Sequence, residues 1–217
     1  MYIILLGGGE VGYYLCRELL DMGHEVLLIE KDAIKCEHFK EELGSVILCG
    51  DGCEMAVLTK AGITRADMFV AVTDEDDDNL AATQIAKQKF NVPQVIARIN
   101  KPKDERIFVK LGIEHTVNAA ALILENIKAQ TAIFPLVRLL SFKEKGLELF
   151  LVKVLGAPLA DKRVVELALP SGSEVPLLIR QGGELVVPDL RTILEIGDQF
   201  ICLIPSEGEA MLKAIVS

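Results

Sequence analysis

The chain has 217 residues and a formal net charge of −9, with 32 acidic against 23 basic side chains. That balance excludes binding driven by charge attraction to nucleic acid or to an anionic membrane surface. Hydrophobic residues make up 51% of the sequence and the mean hydropathy is +0.36, yet no charge-free apolar run approaches the roughly 20 residues that cross a bilayer, so the surplus points to subunit interfaces.

In chain order, the first apolar run stops at Gly7 and enters a glycine motif instead of a small-residue cleavage site, and a cytoplasmic location is expected. Short β-branched runs then alternate with amphipathic stretches. Strands are predicted at 2–6, 25–30, 45–49, 68–73, 94–98 and 114–117, and helices at 11–22, 33–43, 54–61, 77–90 and 103–111. Gly23, Gly44, Gly62 and Gly112 stand where helices should stop. Strict alternation implies a parallel sheet covered on both faces, an α/β fold of the Rossmann-like, doubly wound kind.

Residues 119–142, AAALILENIKAQTAIFPLVRLLSF, break the alternation. They are predicted as one long helix, apolar on more than one face and bent at Pro135, which either lies on its own domain or crosses over to a second subunit. After Lys143-Glu-Lys-Gly146, strands are expected at 148–155, 174–180, 184–187 and 199–204, a short helix at 163–168 and a closing helix at 207–216. Gly182-Gly183 reads as a hairpin turn. The result is a small α+β module. The cysteines, Cys16, Cys36, Cys49, Cys53 and Cys202, are odd in number and show no CxxC pair, and the closest two, Cys49 and Cys53, have no histidine at a zinc-site interval. They read as reduced, mostly buried thiols, and no metal site is expected.

Chemistry concentrates at the ends of the first five strands. In Gly7-x-Gly9-x-x-Gly12, Gly7 permits the tight turn, Gly9 lets a pyrophosphate lie against the backbone and Gly12 lets helix and strand pack closely. Gly8, Glu10 and Val11 complete the turn, whose free helix amides face the phosphates. Glu30, ending the second strand, is placed to accept both ribose hydroxyls and would repel a 2′-phosphate; this favours NAD or a simple adenine nucleotide over NADP. Lys31 beside it is either part of that site or a solvated lysine opening a helix. Asp51 and Gly52 follow the third strand, where Asp51 would accept from the adenine amino group, cap the next helix, or both.

Thr73 and Asp74 end the fourth strand, and Thr73 is placed to approach the pyrophosphate or the far ribose. The acidic run at 75–78 reads as a solvated helix N-terminus or, alternatively, a divalent-cation site. Arg98 ends the fifth strand, available to a ligand phosphate, to Asp74 or to a carboxylate of a neighbouring subunit. His24, His38 and His115 are not clearly placed at this edge as acid or base, no nucleophile elbow is present, and no catalytic residue is assigned.

The strings Leu6-Gly-Gly-Gly-Glu-Val-Gly12, Gly50-Asp-Gly52, Leu58-x-x-Ala-Gly-Ile63, Ala66-Asp-Met-Phe-Val-Ala-Val-Thr-Asp74, Asn79-Leu80, Val95-Ile-Ala-Arg98 and Leu111-Gly112 occur in one order. With these, the chain resembles the regulator of potassium conductance (RCK) family, in particular its TrkA-like cytoplasmic subunits. The resemblance implies an N-terminal nucleotide-binding domain at 1–118, a crossover or dimerisation helix at 119–142 and a C-terminal regulatory domain at 143–217. It implies a ligand sensor and not a catalyst, which forms dimers and larger rings beneath a membrane-embedded potassium transporter or channel and responds to NAD(H), ATP or ADP. By the same resemblance Gly7, Gly9 and Gly12 would hold the phosphates, Glu30 the ribose and Asp51 the adenine, with Thr73, Asp74 and Arg98 lining the rest. Some triphosphate-sensing relatives carry an arginine directly after the second glycine of the motif; Glu10 stands there in this chain, which tilts the expectation toward NAD(H). The competing reading is a small NAD-dependent dehydrogenase of the siroheme-precursor type, whose opening the Gly-Gly-Gly-x-Val segment also resembles.

Overall fold

The computed structural model describes residues 1–131, 133–142 and 145–216. It divides into two units, Met1–Ala121 and Leu122–Ser217. The first unit is built on β1 (Tyr2–Leu6), β2 (Glu25–Glu30), β3 (Ile47–Cys49), β4 (Met68–Ala71), β5 (Gln94–Ile99) and β6 (His115–Asn118). All pair in parallel, in the order β3-β2-β1-β4-β5-β6, which is the doubly wound order with its reversal between β1 and β4. Helices α1 (Glu10–Asp21), α2 (Ala33–Leu43), α3 (Met55–Lys60), α4 (Asp76–Gln88) and α5 (Glu105–Lys110) connect them.

β1 is buried along its whole length because the sheet is covered on both sides. Ile4 and Leu6 join the core on one face with Leu58, Phe69 and Phe108, while Ile3 and Leu5 join Cys16, Cys36 and Val70 on the other. Asp32 caps α2 by accepting from the amides of Ile34 at 2.8 Å and Lys35 at 3.2 Å. The four glycines predicted as helix stops all take positive φ.

The stretch 119–142 corrects the sequence reading. Helix α6 covers only Ala119–Gln130, and residues Leu136–Phe142 form β7, paired antiparallel with β8 (Leu147–Lys153). Pro135 does not bend a helix here; a residue with no N–H to give precedes a strand, and its carbonyl accepts the Lys153 amide at 2.8 Å. Ala132, the first two residues of the expected turn at 143–146 and Ser217 lie outside the described residues.

The second unit is a five-stranded sheet of order β10-β9-β11-β8-β7, with β9 Glu174–Ile179, β10 Leu185–Val186 and β11 Gln199–Pro205, closed by α7 (Glu209–Val216). The expected helix at 163–168 is a single 3-10 turn, Val164–Glu166. The predicted hairpin forms at Gly182-Gly183, with Gly183 at φ +86°. Phe150, Phe200, Leu178 and Leu212 centre its core. Lys153, 6% exposed, sends its ammonium to the carbonyls of Lys128, Ala129 and Thr131 at the end of α6. Three donors thereby satisfy three helix-terminal acceptors.

The cysteines bring a second correction. Cys36 and Cys49 are paired as a disulfide, Cα to Cα 5.9 Å, and Cys16, Cys53 and Cys202 are free. Parallel pairing sets Cys49 opposite Glu30, and α2 lies over β2, so two cysteines 13 residues apart meet through the fold. Burial pushes the Cys16 thiol up to about 11 and Cys202 up to about 12, which keeps both protonated and inert.

Candidate nucleotide site

A cleft opens over the carboxyl ends of β1 to β4, at the point where strand order reverses. Its volume is about 220 Å³, below the ~300–1,000 Å³ of pockets that enclose a ligand; a nucleotide would lie across an open crevice. Four loops contribute to the walls: Gly7 and Gly9 after β1, Glu30, Lys31 and Lys35 after β2, Asp51, Gly52 and Cys53 after β3, and Thr73, Asp74, Glu75 and Asp78 after β4.

The three motif glycines differ physically. Gly7 takes φ +106°, and a Cβ there would also stand 2.9 Å from the Thr73 amide nitrogen. A Cβ on Gly12 would stand 1.8 Å from the Gly7 carbonyl oxygen, so helix and turn touch backbone to backbone. At Gly9, with ordinary φ −70°, nothing lies within 4 Å of a Cβ. Of the three, Gly9 alone has open space where a Cβ would stand. The first intrahelical bond of α1 runs from the Tyr13 amide to the Gly9 carbonyl, which leaves the amides of Glu10, Val11 and Gly12 as the helix's anion-attracting end. Glu10 and Val11 are exposed and outside the cleft lining, Gly12 is buried, and Gly8 spends its amide elsewhere.

That amide donates to Glu30 Oε2 at 2.6 Å, while Oε1 accepts from Asp32 at 2.8 Å. Glu30, 6% exposed, therefore fixes the glycine turn and the start of α2 at once, and each oxygen keeps a second lone pair for a ligand hydroxyl. Lys31 is not merely solvated: its ammonium meets Asp78 Oδ2 at 2.7 Å, and that partner raises its pKa. Asp51 accepts from the Cys53 amide at 2.8 Å and thus shapes the turn before α3, whose cap residue is Glu54. Burial first, then the Asp51 and Asp78 charges, push the Cys53 thiol up to about 11.

On the other wall, Asn79 is fully buried. Its Oδ1 accepts from the Thr73 amide at 2.9 Å and hydroxyl at 2.8 Å, and its amide nitrogen donates to the carbonyls of Thr73 and Arg98, both at 3.0 Å. Arg98 stands behind the lining, 3.1 Å from Asp74 Oδ1. The acidic run is not uniformly solvated either. Asp76, 5% exposed, accepts from the Asn100 amide and side chain and from the Lys101 amide at 2.7–2.9 Å. Asp76, Asn79, Lys35 and Cys53 were missed as site or positioning residues; only the buried spacing of Asp76 and Asn79 on one helix face signals the first two.

The model of the TrkA-N domain matches residues 3–119. The chain belongs to the TrkA-N family. Along 96% of its length it is 30% identical to the Trk system potassium uptake protein TrkA homolog of Methanothermobacter thermautotrophicus, covering 95% of that protein. It is 29% identical over its full length to the Trk system potassium uptake protein TrkA of Mycobacterium tuberculosis, covering 98% of it. Among solved structures, the GsuK channel bound to NAD matches the whole chain at TM-score 0.64 and 20% identity, and the GsuK RCK domain at 0.61 and 20%. This chain spans 39% and 47% of those two chains, and the likeness is one of fold. For a TrkA-N chain, the cleft at the β1–β4 reversal is where the fold puts its ligand edge. His24, preceding β2, and His115, opening β6, lie at the opposite edge of the sheet, and His38 pairs with Glu42 at 3.4 Å and borders, with Gly8, Gly9, Glu10 and Tyr13, an open groove beside the cleft.

Proposed function

We propose that this chain is an adenine-nucleotide-sensing regulatory subunit of a potassium uptake transporter or channel, with NAD(H) favoured and ATP or ADP as alternatives. The observation that carries the reading is the unfilled space over Gly9 at the amide end of α1, in a chain whose nearly full-length relatives are named for Trk potassium uptake. The glycine turn and helix amides would take the pyrophosphate, Glu30 the ribose hydroxyls and Asp51 the adenine amino group. Thr73, Asp74 and Arg98 would border the remainder. No catalytic role is assigned to any residue in this reading.

Self-association to a dimer, and to a larger ring beneath the membrane partner, belongs to the same reading. It is supported by Leu122, Ile123, Leu124 and Ile127, all exposed on α6. Nucleotide-dependent rearrangement of that ring would gate potassium flux. Among the described residues no helix is long and apolar enough to cross a membrane, and the proposed location is the inner face of the cell membrane, held by the partner.

The deciding experiment is a calorimetric titration of the purified chain with NADH, NAD, ATP, ADP and NADPH, with its mass followed by light scattering. The reading expects NADH to bind more tightly than NADPH on a protein at least dimeric. A folded protein that takes none of the five overturns it.

A further inference from the structure

The cysteine pair sits outside the cleft lining but between two of its loops. Cys36, in the first turn of α2, is 1% exposed, whereas Cys49, the last residue of β3, is exposed. Their Cα separation of 5.9 Å falls within the ~4.4–6.8 Å that a disulfide spans. Cys36 directly follows Lys35, and Cys49 precedes Gly50-Asp51-Gly52; Lys35, Asp51 and Gly52 line the cleft. Cys36 Sγ lies 3.2 Å from the Glu30 carbonyl oxygen, which also accepts the Gly50 amide at 2.9 Å. One turn further along α2, Phe39 lies so close to Gly8 that a Cβ there would stand 2.7 Å from its ring. The position of α2 is therefore felt by Glu30, by the glycine turn and by the loop that carries Asp51.

We propose that Cys36 and Cys49 form a reversible thiol–disulfide switch that sets the nucleotide affinity of the adjacent cleft. The redox pair stands by itself; its effect on affinity rests on the nucleotide reading above. The oxidant is a low-molecular-weight disulfide, RSSR. The exposed Cys49 thiolate attacks one sulfur of RSSR, forms the mixed disulfide Cys49–S–S–R and releases the first RS⁻, which takes up the Cys49 proton. Cys36, as thiolate, then attacks the Cys49 sulfur, closes the 36–49 bond and expels the second RS⁻, which takes up the Cys36 proton. Two thiols and RSSR become one protein disulfide and two RSH, with two electrons passing from protein to RSSR, and excess RSH drives the reverse.

Burial fixes the order of events. RSSR cannot reach Cys36, so Cys49 is the attacking thiol and Cys36 resolves the mixed disulfide. In the reduced state the Cys36 thiol donates to the Glu30 carbonyl and the two loops are held by non-covalent contacts alone. The cross-link ties the start of α2 to the end of β3 and presets both loops, and preorganisation of this kind raises affinity.

The test equilibrates the full chain in buffers of graded reduced-to-oxidised glutathione ratio, alkylates remaining thiols, maps peptides by mass and titrates each sample with NADH. The expected result is a linked 36–49 peptide that grows with the oxidised fraction and NADH binding at least fivefold tighter in the oxidised protein. Cys49→Ser should show neither the link nor the redox dependence. Absence of the linked peptide at every ratio overturns the switch, and a linked peptide with unchanged NADH affinity overturns its control of the cleft. A linked peptide with no NADH binding in either state supports the redox pair and overturns NADH as the nucleotide of the cleft.

Discussion

Replacing Gly9 and Gly12 by alanine in turn separates ligand space from packing space within one motif. At Gly9 the new methyl meets nothing of the protein within 4 Å, and φ −70° suits any residue. The lost backbone freedom of the unfolded chain stabilises by ~0.4–1 kcal/mol, and the poorer helix cap costs a comparable amount, so the melting temperature should hold to within a few degrees. The same methyl occupies the surface on which a pyrophosphate would rest, and NADH affinity should fall by about 10- to 100-fold, or ~1.4–2.7 kcal/mol.

At Gly12 the methyl would start 1.8 Å from the Gly7 oxygen and needs about 3.4 Å. Helix α1 would have to retreat by the difference of roughly 1.6 Å, at an overpacking cost of ~3 kcal/mol, which lowers the melting temperature by about 6–12 °C. The assay is thermal unfolding without nucleotide, followed by calorimetric titration with NADH. Unchanged NADH affinity in Gly9→Ala, or an unchanged melting temperature in Gly12→Ala, would refute this division of labour.

Glu30→Gln should raise NADPH affinity relative to NADH by about 100-fold, because two unit charges about 5 Å apart at an effective dielectric of about 20 repel by roughly 3 kcal/mol; an unaltered preference in competition binding would remove Glu30 from the ribose. Lys153→Met removes three hydrogen bonds from carbonyls at the α6 end, of which that of Lys128 keeps the Thr131 amide and hydroxyl, and should cost ~2 kcal/mol, the lost hydrogen bonds being partly offset by no longer burying a charge. An unmoved urea midpoint would contradict that. For Glu209, burial pushes the carboxyl up, but the hydrogen bond from Lys213 and the charge of Arg138 outweigh it and hold the pKa below 4.5. A lowered folded pKa contributes stability that is present above pH ~4.5 and lost as pH falls through the folded value; Glu209→Gln should flatten the acid limb of the stability profile, and an identical limb would exclude the contribution.

The parallel sheet and its ligand edge were legible because alternation of apolar runs and amphipathic helices dictates parallel pairing, and parallel pairing brings every strand's carboxyl end to one side. Thus Gly7, Glu30, Asp51 and Thr73, spread over the chain, could be placed together from their positions alone. β7 was not legible: Leu136, Leu139 and Leu140 fit a helical or a strand face, and only pairing with β8 decides. The Cys36–Cys49 contact depends on the β2–β3 register, which no local pattern encodes. Asp76 looked like one of a row of solvated acids, yet it alone turns inward to the Asn100 and Lys101 amides.

The Lys31–Asp78 pair joins the two walls of the cleft, with side chains 60% and 32% exposed. Such a bridge is worth ~0–1 kcal/mol, so its closed and open forms stand in a ratio between about 1 and 5 and interchange without unfolding anything. Added salt weakens the pair further, since it screens exposed charges over a distance of about 8 Å at physiological concentration. A tie held so lightly lets either side chain turn to a new partner without disturbing the loops that carry it.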